Sequence, residues 1–197
     1  MGIDLGSAFS WVPEDLILWY KVESEWDCRL LADKRIKSPG RITEVEGKMV
    51  FASDSAGERW AFSIDEPGVV HHDADRGEGW VRCGYDMATF LVLNLVQECT
   101  KVSPHRGYCD AVEVQKIEEL TSRMEEVDFS LWGWPNYGCR VFMDNSLVIA
   151  FLPSVEESFP WGVRGRFFDV EAGARERSDL NRLSAIDGIS WLGPGFE

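Results

Sequence analysis

The segment GVVHHDAD (68–75) places two adjacent imidazoles, His71 and His72, beside the carboxylates Asp73 and Asp75. These are ligand types that hold zinc or iron, and a metal so held activates water for hydrolysis. The spacing opposes that chemistry. GVVHH reads as a strand, strand side chains alternate between faces, and His71 and His72 then point apart. The remaining histidine, His105, falls in a stretch that reads as loop. The expectation is a polar strand end with no metal, and a metal-dependent hydrolase using this segment ranks behind two binding functions.

Other catalytic settings are missing. No G-x-x-x-x-G-K-[ST] or G-x-G-x-x-G run stands between a strand and a helix, and no G-x-S-x-G elbow occurs. The five cysteines are widely spaced without a C-x-x-C pair, which suits reduced thiols in a cytoplasm better than zinc or disulfides. Carboxylate pairs such as Glu118-Glu119 and Glu156-Glu157 read as solvated faces in a chain with 34 acidic and 20 basic residues. The chain therefore reads as no enzyme and as needing no cofactor.

A net charge of −14 disfavours nucleic acid and anionic lipid unless the few basic residues cluster. No apolar run approaches the roughly 18 residues of a membrane span, and the start, MGIDLGSAFSWVPEDL, lacks secretory-signal features. A basic protein partner fits this balance. Trp132 and Trp134, with Tyr137, lie in a Gly/Pro-rich loop, and Trp161 lies in another, FPWG. Rings at such positions either cap a core or form a recognition surface.

The elements that position these residues follow from periodicity. VPEDLILWYKVESE reads as a helix entered through Pro13, with Glu14 and Asp15 at its positive end and Leu16, Ile17, Trp19 and Tyr20 on one face. Residues 27–47 read as loop with one weak strand. MVFA (49–52), RWAFSID (59–65) and GVVHH (68–72) make a meander in which Trp60, Phe62 and Ile64 alternate and Glu66-Pro67-Gly68 turns the chain. WVRCG (80–84) adds a short strand. Asp86 is positioned to cap DMATFLVLNLVQECT, a helix apolar on nearly every side and so expected to be buried.

Residues 101–110 read as a linker between a first domain, 1–102, and a second segment, 111–197. Val114, Ile117, Leu120, Met124 and Val127 recur every three to four residues and predict an amphipathic helix over 111–127. CRVFMD (139–144), SLVIAFL (146–152) and VRGRFFDV (163–170) read as strands, with a turn at Asp144-Asn145. A short helix over 174–185 and a last strand over 188–192 complete the chain. The fold class is α+β: a mainly antiparallel sheet with packed helices, then a second β-rich segment with an amphipathic helix.

The order of the first hundred residues resembles the SMI1/KNR4, or SUKH, superfamily. WVPEDLILWY is similar to its "LP-x-D-hydrophobic" helix, FASDSAGERWAFSID to its "F-x-x-D-x-x-G-x-x-hydrophobic" hairpin, and DMATFLVLNLV to its closing helix, over about residues 10–100. Val12 stands where Leu is usual, and Glu23-Ser24-Glu25 replaces an Asn-Gly. The resemblance implies a non-enzymatic α+β protein, used in bacteria largely for immunity against toxins of neighbouring cells and in fungi to regulate cell-wall synthesis. The leading expectation is a cytoplasmic immunity-type protein that occludes a basic toxin domain, nuclease-type toxins included. A regulatory scaffold without a toxin partner is the alternative. On the 111–127 helix, Glu118, Glu119, Glu125 and Glu126, with Asp128 just beyond, form the expected partner-facing patch, and Trp132, Trp134 and Trp161 are the next candidates.

Overall fold

The computed structural model describes residues 9–26, 29–73, 79–128, 138–154, 166–194 and 196. Among them the fold is α+β, with two antiparallel sheets and four helices. The chain forms two compact units, Met1–Leu95 and Val96–Glu197.

In the first unit, α1 (Glu14–Glu25) begins directly after Pro13, whose φ of −55° is the value its ring imposes. Glu14 and Asp15 occupy the first turn, and Leu16, Trp19 and Tyr20 are buried. The loop-like region beyond it supplies β1 (Arg35–Ile36) and β2 (Thr43–Val45), both paired with β3 (Lys48–Ser53). The sheet continues through β4 (Arg59–Ser63), β5 (Glu66–Asp73) and β6 (Val81–Asp86), in the order β1-β3-β4-β5-β6. The D-x-x-G part of the hairpin motif has a local task. Asp54 Oδ1 accepts the Glu58 amide at 2.9 Å, and Gly57 takes a φ of +91° that a side chain would strain.

The next turn differs from expectation. Ser63 pairs with Glu66, so the chain turns at Ile64-Asp65, Ile64 is exposed, and Pro67 lies within β5. Two register shifts, in β3–β4 and β4–β5, move the turn away from the Pro-Gly signal.

Asp86 caps α2 (Met87–Val102) as expected, its Oδ1 accepting the Thr89 amide at 2.8 Å. Phe90 projects from α2 against Phe51 (5.3 Å between rings, edge-on) and Trp60 (5.7 Å), the aromatic centre of the first unit. The helix is not buried all round. Val92 is 57% exposed, whereas Asn94 and Glu98 are fully buried. Met87, Phe90, Leu91, Asn94 and Glu98 follow the three-to-four-residue stripe that faces inward, so helix geometry overrides side-chain type.

The region expected as a linker is the end of α2 followed by β7 (His105–Glu113). The second unit then contains α3 (Lys116–Thr121), β8 (Glu125–Val127), β9 (Arg140–Met143), β10 (Leu147–Pro153), β11 (Phe167–Ala174) and α4 (Arg177–Ser184), with sheet order β7-β11-β10-β9-β8. Asp144 Oδ1 accepts the amides of Ser146 and Leu147, each at 2.9 Å, and so fixes the β9–β10 turn. One face of this sheet is covered by α3, α4 and the C-terminal stretch, whose Ile117, Leu120, Leu180, Leu183 and Trp191 pack with Phe142, Ile149, Phe151 and Val170. The other face is met by the end of α2. A Cβ at Gly173 would stand 2.8 Å from the Thr100 Cα, so only glycine permits this approach. The last expected strand reduces to one bridge, in which Tyr108 and Leu192 exchange two 2.8 Å backbone hydrogen bonds.

Candidate partner-binding surface

The helix expected over 111–127 is three elements. Residues up to Glu113 belong to β7, paired with β11 from His105↔Ala174 to Glu113↔Phe167. Only Lys116–Thr121 is helical, and the chain returns to a strand at Glu125. The apolar spacing was compatible with a helix, but two long-range strand pairings outweigh that local preference. Ile117 and Leu120 are buried and Met124 packs on the same core, as expected; Val114, in the turn after β7, is 37% exposed.

All five carboxylates of the expected patch, Glu118, Glu119, Glu125, Glu126 and Asp128, are exposed. The structure spreads them over two elements instead of one helix face. Glu118 and Glu119 stand on α3. Glu125 and Glu126 are successive residues of β8, opposite Met143 and Phe142 of β9, and so point to opposite faces of the sheet. Two of the acids are neutralised internally. Arg140 donates to Glu126 through Nε at 2.6 Å and its second nitrogen at 2.8 Å, a bidentate pair with the guanidinium stacked over Phe142. These hydrogen bonds hold the Glu126 carboxyl below the usual range. Lys116 donates to Glu119 at 2.8 Å. Glu118 and Glu125 have no ion-pair partner among the described residues. Trp132, Trp134 and Trp161 lie outside the described residues.

β8 ends the second sheet. Its inner side pairs with β9, and among the described strands nothing pairs with its outer side. A three-residue edge bearing Glu125, with Glu126 neutralised by Arg140, can accept a strand from a partner, and the remaining charge favours a cationic one.

The HHDAD residues occupy the other sheet. His71 and His72 point to opposite faces of β5. His71 Nε2 lies 3.2 Å from Lys48 Nζ, whereas His72 stacks on Trp60 (4.9 Å) with its Nε2 3.0 Å from Glu58. Asp73 is buried and bound by Arg59, whose Nε donates to it at 3.0 Å. Asp75 lies outside the described residues. His71, His72 and Asp73 thus each have their own partner, and among the described residues no group of three His, Cys, Asp or Glu side chains converges on one point. Three contributors were not legible in the sequence: Arg140 as the clamp on Glu126, Lys48 as the neighbour of His71, and Lys34, buried with its ammonium 5.6 Å from the Trp60 ring centre. The first two depend on strand register, which no local spacing reveals, and Lys34 lies just before β1.

No protein-family model, curated protein or solved structure matches this chain. No helix among the described residues is long and apolar enough to cross a membrane.

Proposed function

We propose that this chain is a non-enzymatic binding protein of the immunity type, which occludes a basic toxin domain at the β8 end of its second sheet. The observation that carries this reading is an open strand edge bearing Glu125, an exposed carboxylate lacking an ion-pair partner among the described residues, with a second such carboxylate, Glu118, on α3. An open edge supplies backbone hydrogen bonds to an added strand, and unpaired carboxylates steer a cationic partner towards it. The resemblance of the first hundred residues to SMI1/KNR4 proteins supports the same class.

The test reverses Glu118 and Glu125 to Lys and leaves Glu119 and Glu126 with their own cations. Neither side chain is buried, so the fold should persist. Association with a basic partner recovered from the native host should slow about tenfold at low salt, with the salt dependence flattened or inverted. An unchanged association rate at low salt would remove this edge from consideration.

A further inference from the structure

Two basic residues of this acidic chain share one face of the first sheet with a histidine. In the first sheet the register aligns Thr43, Val50, Ala61, His71 and Arg82 across five strands, all on the face opposite Trp60 and His72. Lys48, two residues before Val50 on β3, shares that face and reaches His71. Arg82 is exposed and lies directly across from His71 on β6. Val50 and Ala61, between Thr43 and His71 in this row, are small and buried.

Two of the carboxylates near this row are engaged, and a third, Glu66, acts weakly on His71. Asp73 is held by Arg59, which also stacks on Trp80 (5.4 Å), and Asp86 caps α2. Glu66, at the start of β5, is exposed and is the weakest of the charges acting on His71. Neither Lys48 nor Arg82 forms an ion pair among the described residues. In a chain where acids outnumber bases 34 to 20, two neighbouring cations without a carboxylate, bracketing an imidazole, run against chance pairing.

We infer that Lys48, His71 and Arg82 form a binding site for a phosphate monoester group. The chemistry favours this anion over a carboxylate or a phosphodiester. A terminal phosphate brings close to two negative charges and three free oxygens to three donor groups, whereas a carboxylate or a diester brings one charge and two oxygens. Arg82 offers a planar fork of donors, and Lys48 keeps two N–H groups beyond the one directed at His71.

The Lys48–His71 contact also sets how the site responds to pH. An ammonium can only donate, so His71 Nε2 accepts from Lys48 and the ring is the neutral tautomer protonated at Nδ1. His71 is 8% exposed, and this burial, followed by the Lys48 charge, lowers its pKa below the usual histidine value. A bound dianion offsets the repulsion. The ring can then take a proton from solvent at Nε2, which turns from acceptor to a third donor while Lys48 shifts its hydrogen bond to the anion. Binding of an anion whose own charge stays constant is therefore expected to strengthen as pH falls.

Titration calorimetry of the full chain with inorganic phosphate near neutral pH should show saturable binding of one anion, with acetate at least about tenfold weaker. Sulfate, whose charge is constant in this range, should bind more tightly at about pH 6 than at about pH 8. Arg82→Ala and Lys48→Ala should each weaken phosphate about tenfold, and exposed Arg41→Ala should leave it unchanged. Arg82 is exposed, so its removal does not threaten the fold. A phosphoserine peptide and a sugar phosphate separate the sources: tighter binding of the peptide assigns the site to a modified protein, equal binding to a small metabolite. Absence of saturable phosphate binding, acetate as tight as phosphate, an unchanged affinity in Arg82→Ala, or a single-stranded oligonucleotide bound more tightly than either monoester would overturn the assignment.

Discussion

The two sheets treat charge in opposite ways. The first gathers Lys48, His71 and Arg82 on one face and leaves the two strong cations without carboxylate partners among the described residues. The second carries Glu118 and Glu119 on α3 and Glu125 and Glu126 on its edge strand β8, and neutralises two of them with Lys116 and Arg140. Net charge is thus a poor guide to local surface. A total of −14 coexists with a cationic face, because strand register sets which side chains share a face and composition does not. The comparison also separates surface from foundation, since neither charged region contributes to the aromatic centre of the first unit or to the apolar core of the second.

The largest effect should come from the foundation. Phe90→Ala removes a ring that is edge-on to Phe51 and packed on Trp60, inside a fully buried cluster. Truncation of a buried Phe leaves a cavity and costs about 3–5 kcal/mol. Urea denaturation should show that loss in the first unit, whereas Arg82→Ala and Glu118→Lys should each stay within about 0.5 kcal/mol of the parent. If either charge variant lost as much stability as Phe90→Ala, the separation of surface from foundation would fail.

A smaller effect is expected at the junction of the cationic sheet with its helix. Asp86 ends β6 and accepts the Thr89 amide, so Asp86→Ala should cost about 0.5–2 kcal/mol. That hydrogen bond lowers the carboxyl pKa below the usual aspartate value. A depressed folded pKa means that the contribution is fully present above the unfolded value, about 3.9, and is lost as pH falls through the folded value. Parent and variant should therefore converge in stability at strongly acidic pH. A constant difference down to that range would show that the cap acts through packing and not through the ionised carboxylate.

The elements of the first unit were largely legible because their signals are local. Pro13 ahead of Glu14 and Asp15, the Asp54 and Gly57 turn, and Asp86 ahead of an apolar run each act within four residues. The 111–127 region was misread because its elements are settled at long range: β7 pairs with β11 some sixty residues later in the chain, and β8 pairs with β9. The same limit hid both charged sites. The exposure of Glu118 and Glu125 could be read from the apolar positions around them, but the clamp of Arg140 on Glu126 and the approach of Lys48 to His71 arise only when strands meet.

The smallest effect tests whether the two sheets differ as described. Arg140→Ala removes the bidentate partner of Glu126, an exposed pair whose contribution should not exceed about 1 kcal/mol. The Arg140 hydrogen bonds lower the Glu126 pKa, so this contribution is present above the unfolded glutamate value, near 4.3, and vanishes as pH falls through the folded one. Arg82→Ala should behave differently. It breaks no ion pair among the described residues, and His71 is neutral near pH 7, so stability should be unchanged there; the repulsion Arg82 exerts acts on the protonated ring, and its removal should raise stability slightly only at acidic pH. Chemical denaturation of both variants at pH 7 and at acidic pH supplies the comparison. An Arg82→Ala loss equal to that of Arg140→Ala would mean that the cation has a carboxylate partner after all, and the contrast between a paired acidic edge and an unpaired cationic face would not stand.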